Sequence, residues 1–169
     1  MSVEQFFGKY RGSVRDNLDP QMMGRLMVEV PDVGGSLLSS WAMPCLPVAG
    51  VNMGMFTVPP IGAGVWVEFE RGNPDYPIWA GGFYREAEVP EMARMVPPGI
   101  SVIALQTVGS NGLVISDMPG PSGGILLRTS SGAMISVSDV GVVISNGKGA
   151  MITLTGPTVD VNLGALTVV

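Results

Sequence analysis

The sequence predicts an all-β protein in two parts, a small N-terminal barrel and a C-terminal β-prism shared by three copies of the chain. Three observations lead to this prediction. Short runs of alternating apolar and polar residues fill the first half, and glycine recurs every seven to nine residues in the second. The charged residues become sparse where the first pattern gives way to the second.

The first half contains a series of short strand patterns. Residues 8–14 are predicted to form the opening strand, and residues 25–30 alternate as a half-buried strand does before the Pro31-Asp32 turn. Residues 65–70 alternate as well, and a returning strand is expected over residues 76–80. About five strands in roughly 85 residues are typical of a small barrel of the OB type.

The boundary between the two parts is predicted at residues 95–96. Residues 86–95 are the one stretch that could be helical, and they have no strong apolar stripe. Pro97-Pro98 follows, and consecutive prolines stiffen a linker and end a strand ladder. We therefore predict an OB-fold domain over 1–95 and a second domain over 96–169.

The second half has a repeat period. Glycines at positions 124, 132, 141, 149, 156 and 164 are separated by 8, 9, 8, 7 and 8 residues, with short alternating runs between them. Such spacing is a repeat signature, because glycine adopts turn conformations that other residues avoid. The alternative is an ordinary β-sandwich with Asn-Gly hairpins at residues 111–112 and 146–147.

Stability favours the shared prism. Some 70 residues of short strands with few polar side chains would leave open edges and an apolar outer face in a monomer. Three chains wound around one axis would let each strand pair with a neighbouring chain and would bury the apolar side chains in a shared core. The residues predicted to form this trimer core are Ile135, Val137, Ile144, Ile152, Leu154 and Val161.

Composition excludes several classes of function. The chain has 9 basic and 14 acidic residues and a net charge of −5, so a nucleic-acid partner is not expected. It has no His and a single Cys, so we predict no metal site and no cofactor. Charged residues make up 14% and mean hydropathy is +0.39, yet no apolar run is long enough to span a membrane, which points to burial by self-association. No signal peptide is predicted at the start.

Candidate chemical motifs have simpler structural interpretations. Glu68 and Glu70 could form a carboxylate pair, but they fit the solvated face of a strand. Cys45 has apolar neighbours and no His to activate it, so we expect a buried, inert thiol. Residues 147–149 lack the spacing of a phosphate loop. The aromatic residues of the barrel could stack on bases, but the acidic balance argues against it. We predict that the protein is not an enzyme.

Several segments resemble one known family. They are residues 10–20 (YRGSVRDNLDP), 24–31 (GRLMVEVP), 41–47 (WAMPCLP), 59–70 (PPIGAGVWVEFE), 73–81 (NPDYPIWAG) and the C-terminal 161–169 (VNLGALTVV). In order and spacing they are similar to the central spike family of contractile tails, which includes phage baseplate assembly protein V and the valine-glycine-repeat spikes of type VI secretion. The resemblance covers nearly the whole chain.

The resemblance implies an N-terminal OB-fold followed by an intertwined trimeric β-helix, and a location at the tail-tip baseplate of a virion or injection particle. It implies a homotrimeric needle that sits on a trimeric hub protein and pierces the target cell envelope. It also implies a PAAR-type tip protein at the C-terminal end, where the uncharged last turn offers Gly164, Ala165, Leu166, Thr167, Val168 and Val169 as contacts.

The sequence departs from larger members of that family. It has no room for a lysozyme domain, no fused hub domain, and no His residues for a metal at the tip. Two other functions remain open on the sequence. A trimeric receptor-binding or adhesin protein would share the prism, and a small OB-fold binding module would be monomeric.

Overall fold

The computed structural model describes residues 4–33 and 40–168 of the 169-residue chain. The chain forms two compact units that part between Glu88 and Val89. Nearly all regular structure is β-strand, which confirms the predicted all-β class. Within the described residues, the helical elements are one short α-helix, α1 (Glu91–Arg94), and one 3₁₀ turn (Glu70–Gly72).

The units part seven residues before the predicted domain boundary at residues 95–96. The physical reason is the helix α1, which packs against strands that follow it in the chain. Met92 on this helix is buried, and its backbone N–H donates a hydrogen bond of 2.9 Å to Oε1 of Gln106. The helix therefore belongs with the second unit.

The first unit is a small barrel. Its strands are β1 (Tyr10–Asp16), β2 (Met27–Glu29), β3 (Met43–Pro44), β4 (Ala49–Gly50), β5 (Met53–Gly54), β6 (Gly64–Phe69) and β7 (Pro77–Phe83). Five of them form a sheet in the order β2-β1-β6-β7-β3, while β4 and β5 form a separate two-stranded hairpin. The β3–β7 pairing is parallel and the other pairings are antiparallel.

A pair of backbone hydrogen bonds closes this sheet on itself. Leu26, next to β2, exchanges both bonds with Ala42, next to β3, at N···O distances of 3.1 and 2.8 Å. The two ends of the strand order are thereby joined. Irregularities between Val14 and Asp16 and between Val65 and Val67 bend the strands, as bulges do where small barrels curve.

The core of the barrel follows the alternation seen in the sequence. In β6, Val65, Val67 and Phe69 are buried while Trp66 and Glu68 are half-buried. The inward-facing side chains of several elements meet in one apolar cluster. Its buried members are Val14, Leu26, Val28, Val30, Val33, Ala42, Val65, Val67, Phe69 and Trp79.

The second unit is one antiparallel sheet of eight strands in chain order. Its strands are β8 (Val102–Gln106), β9 (Gly112–Ser116), β10 (Gly124–Arg128), β11 (Met134–Ser138), β12 (Gly141–Ser145), β13 (Met151–Thr155), β14 (Thr158–Val161) and β15 (Leu166–Val168). Each strand pairs with the strands before and after it in the same chain. The pairing expected between chains is thus made within one chain, because short turns return each strand beside its predecessor.

The periodic glycines lie at the turns and strand starts of this sheet. All six have a positive φ, between +56° and +153°. At Gly124 the backbone approach is also close, since an added Cβ would lie 2.1 Å from the carbonyl oxygen of Val137. The glycine period therefore sets the length of each strand by fixing where the chain turns.

Candidate assembly surface

One face of the eight-stranded sheet carries two rows of aliphatic side chains. The register places directly opposed residues on the same face, so each row can be followed from strand to strand. The first row is Ile103, Ile115, Ile125, Val137, Val142, Leu154, Val159 and Val168. The second row is Leu105, Leu113, Leu127, Ile135, Ile144, Ile152, Val161 and Leu166. We call these sixteen residues the aliphatic face.

The aliphatic face is not covered within one chain. Ile135 is 43% exposed and Ile152 is 38% exposed, although both lie in strands that pair with a neighbouring strand on each side. Scattered single apolar residues are ordinary on a protein surface, but a contiguous apolar patch of this size marks an interaction site. The sheet is therefore built to be covered by another surface.

All six residues predicted to form a trimer core lie on the aliphatic face. Val137 and Leu154 are in the first row, and the other four predicted residues are in the second row. The structure thus brings the predicted set together on one side of one sheet. That this side faces a three-fold axis stays a prediction at this point.

The opposite face changes character along the sheet. Its central positions begin with apolar residues on β8 to β10 and become polar towards β14. In order they are Ala104, Val114, Leu126, Ser136, Val143, Thr153 and Asp160. A face with hydroxyl and carboxyl groups at its far end suits contact with solvent better than the aliphatic face does.

The residues predicted to contact a tip protein occupy the last turn and the last strand. Gly164 and Ala165 are exposed in the turn before β15, and Leu166 and Val168 are the exposed ends of the two aliphatic rows. Thr167 pairs through its backbone with Asp160. Val169 lies outside the described residues. Among the described strands β15 pairs with β14 alone, so its other edge is open.

The carboxylates tested as a catalytic pair do not act together. Glu68 on β6 forms an ion pair with Lys9. Glu70 lies beyond the end of β6, in the 3₁₀ turn, and its backbone N–H donates to the carbonyl oxygen of Tyr76. The expectation that both face one side of a strand was wrong, because the strand ends at Phe69.

The prediction of a buried thiol was also wrong, because Cys45 is exposed. Its backbone N–H donates to the carbonyl oxygen of Trp79 and continues the edge of β3, while Pro44 and Leu46 on either side are half-buried. Residues 147–149 form an exposed turn between β12 and β13.

The aromatic residues of the barrel do not form one stacking platform. Trp79 is buried and donates from Nε1 to the carbonyl oxygen of Gly24 at 3.0 Å. Trp66 packs against Phe83, with 5.0 Å between ring centroids, and the guanidinium of Arg11 covers both rings.

A buried ion pair that sequence reasoning missed organises the loop between β1 and β2. The carboxylate of Asp19 accepts hydrogen bonds from the Arg25 guanidinium and from the backbone N–H groups of Gln21, Met23 and Arg25. The Arg25 guanidinium, together with these backbone donors, holds the pKa of the Asp19 carboxyl well below its ordinary value. A six-residue spacing in a loop has no periodic signal that would have revealed the pair.

This loop presents apolar side chains to solvent. Leu18 and Met22 are strongly exposed, and with Phe56 and Val58 they line a groove of about 590 Å³. Methionine and phenylalanine side chains at a surface adapt well to a protein partner. We call this groove the barrel groove.

The described part of the chain holds neither a candidate metal cluster nor a helix that could span a membrane. Within residues 4–33 and 40–168, no three His, Cys, Asp or Glu side chains cluster as metal ligands would. In the same part of the chain, no helix has the length and apolar character needed to cross a membrane.

Comparison with known families divides the chain as the fold does. A family model described as the type VI secretion system/phage-baseplate injector OB domain matches residues 10–84. A second, described as the phage baseplate V C-terminal trimerisation domain, matches residues 102–167. A comparison with curated proteins finds no match.

Proposed function

Since the chain belongs to the phage baseplate V family of injector proteins, we propose that it is the central spike of a contractile tail or injection system. The spike is a homotrimer located at the baseplate, and its role is structural and mechanical. Contraction of a sheath drives the tail tube forward, and the spike transmits that force to a small area of the target cell envelope.

The aliphatic face is the observation that carries this proposal. All of its residues except Val168 lie within the stretch that matches a trimerisation domain, and that match supports a homotrimer. Three sheets with their aliphatic faces turned to a common axis would bury two rows of eight side chains from each chain. The resulting prism would have a packed apolar axis, and every strand would already be hydrogen-bonded within its own chain.

The first experiment is a measurement of mass in solution by light scattering. Three chains of 17.6 kDa give a trimer of about 53 kDa. A trimeric mass whose value holds on dilution supports the spike. A stable monomer of 17.6 kDa would contradict it and would favour a small OB-fold binding module instead.

We place the hub protein at the barrel. The barrel groove, with Met22 and Phe56 exposed at its rim, offers an adaptable apolar contact of the kind that protein interfaces bury. Capture of the hub from the same system by the purified trimer would test this. Met22→Asp should abolish capture, and Val51→Asp, at the exposed turn between β4 and β5 and outside the barrel groove, is the matched control.

We place a PAAR-type tip protein at β15. Leu166 and Val168 end the aliphatic rows in an exposed position, so three copies would form an apolar platform. Leu166→Asp should prevent binding of the tip protein while the trimer persists, since the remaining strands still hold the chains together. Retained binding by this variant would contradict the placement.

Piercing is tested with whole particles. Particles with a wild-type spike should permeabilise target cells on contraction, and particles assembled without it should contract without permeabilising them. A trimeric adhesin, the alternative function, would bind target envelopes as a purified protein without any sheath.

A further inference from the structure

The turns of the eight-stranded sheet lie along two lateral edges. In an antiparallel meander successive turns alternate between the two sides of the sheet. The first turn edge consists of residues 107–111, 129–133, 146–150 and 162–165, together with the strand ends beside them. The second turn edge consists of residues 117–123, 139–140 and 156–157.

The charges of this sheet are sorted by edge. Arg128 is the last residue of β10 and Lys148 lies between β12 and β13, so both cations are on the first turn edge. Asp117 and Asp139 lie in turns of the second turn edge. The fifth charged residue between positions 102 and 168, Asp160, lies within β14 between the two edges. One edge of the sheet is therefore positive and the other negative.

The four charges on the two turn edges have few partners within the described part of the chain. Among the described residues, the side chains of Arg128, Lys148 and Asp117 make no hydrogen bond or ion pair. The carboxylate of Asp139 accepts one long hydrogen bond, 3.4 Å from the backbone nitrogen of Gly120. A carboxylate can accept several bonds, so it retains capacity for a further partner.

The charges also match in height along the sheet. Asp117 directly follows β9, and its backbone N–H donates to the carbonyl oxygen of Ser101 beside β8, so it lies one strand spacing from the level of Arg128 on β10, or about 4.8 Å. Asp139 lies in the turn between β11 and β12, one strand spacing from the level of Lys148, or about 4.8 Å. Both carboxylates are displaced towards β8 relative to their cations, so a single small tilt would align both pairs.

We propose that in the homotrimer the first turn edge of each copy meets the second turn edge of the next copy. Arg128 then faces the partner subunit's Asp117, and Lys148 faces the partner subunit's Asp139. This inference rests on the homotrimer of the proposed function. Such a contact joins two different surfaces, and three of them close into a ring. The aliphatic face supplies the burial, and the edge charges fix the register and tilt of neighbouring sheets.

A cross-linking experiment tests the contact between edges. Ser122 and Ser130 are exposed residues on opposite turn edges, flanking β10. In the full-length chain with Cys45→Ser, the double variant Ser122→Cys/Ser130→Cys is treated with a bis-maleimide reagent. The reagent is shorter than the roughly 16 Å length of a five-residue strand, so it cannot bridge the two edges of one chain. Covalent dimers and trimers on a denaturing gel are expected.

The two single-cysteine variants are the matched controls. In a ring where the first turn edge of one copy meets the second turn edge of the next, the same residue in two copies lies far apart. Each single variant should therefore remain monomeric on the gel. If the double variant is a trimer by light scattering but gives only monomer on the denaturing gel after cross-linking, the edge contact is overturned and the proposed function stands. A monomer by light scattering would overturn both. Equal cross-linking by a single variant would also overturn the contact between unlike edges.

Charge reversal gives a second readout that does not depend on the cysteines. Arg128→Glu places a like charge opposite the partner subunit's Asp117, and the thermal midpoint of the trimer should fall by about 5 °C at low salt. Asp117→Lys in the same chain should restore it, and the difference should shrink as salt screens the pair. If the thermal midpoint of the double variant falls by the sum of the decreases in the two single variants, the pairing is overturned.

Discussion

The barrel and the eight-stranded sheet use the same residue types and reach opposite degrees of burial. In the barrel, Leu26, Val28 and Val65 are fully buried within one chain. In the sheet, Ile135 and Ile144, equally apolar and in strands paired on both sides, are each 43% exposed. The barrel closes its strand order through Leu26 and Ala42, whereas the sheet keeps two open edges and an open face. A closed barrel buries its apolar side chains within one chain, whereas an open sheet needs other chains to cover its apolar face.

The strongest test of this comparison is a charge on the aliphatic face. Ile152→Asp would place three carboxylates on the axis of the trimer, and each buried, unpaired charge costs several kcal/mol. We expect complete loss of the trimer by light scattering. All three tryptophans lie in the barrel, so their fluorescence should be unchanged. Thr155→Asp, on the opposite face of the same strand, is the control and should remain trimeric. A stable trimer of the Ile152 variant would refute the axial placement.

A truncation in each unit should show which core depends on assembly. Leu26→Ala should lower the free energy of unfolding of the barrel by about 2–5 kcal/mol, at any protein concentration. Ile144→Ala should lower the free energy of unfolding by a similar amount, but only in the trimer, where the aliphatic face is covered. The denaturation midpoint of the second unit should therefore rise with protein concentration. Leu18→Ala, at an exposed position, should change stability by less than about 0.5 kcal/mol. Equal concentration dependence in both units would break the comparison.

The glycine period can be tested with two alanine substitutions. Gly124 and Gly156 both have a positive φ, +78° and +56°, but only at Gly124 would the new Cβ meet a backbone atom, 2.1 Å away. Gly156→Ala should cost about 1–2 kcal/mol from conformational strain alone. Gly124→Ala should cost more, because the ladder between β10 and β11 must shift. Thermal denaturation of both variants measures the difference, and equal losses would show that the close approach is unimportant.

The smallest expected effect is a pH dependence confined to the barrel. The pKa of Asp19 is lower in the folded barrel than in the unfolded chain, so its ion pair stabilises the fold above about pH 4 and loses that effect as the pH falls further. The difference in stability between the wild type and Asp19→Asn should therefore be constant from pH 7 to about pH 5 and shrink below about pH 4. Chemical denaturation followed by tryptophan fluorescence measures it. A difference that grows on acidification would show that the carboxylate is not the stabilising group.

The regular parts of the fold were predictable because their signals are local. Alternation located β1, β2, β6 and β7 to within a few residues, and the glycine period located the later strands. The two-residue strand β3 and the bridge from Leu26 to Ala42 were missed, since they depend on contacts distant in sequence. Leu163 continues the sequence alternation of Val159 and Val161, but it lies two residues beyond the end of β14, exposed in the turn before β15 with φ +55°.

The assembly surface was predictable in part. The six predicted core residues fall on one face because strand period is 2 and the turns preserve their register. The members of the rows on β8 to β10 were not singled out, because β8 and β9 lie before the glycine period and β10 stands at its start. The edge charges carried no signal in the sequence either, since only the pairing of strands shows which turns share an edge.

The meander also sets the steps in which such a spike can change length. Inserting one strand would move every later turn to the other lateral edge and exchange the positive and negative sides beyond it. Inserting a whole hairpin restores the edges and adds two strand spacings, about 10 Å, along the axis. Length in this architecture is therefore quantised, and relatives with longer or shorter shafts should differ by even numbers of strands.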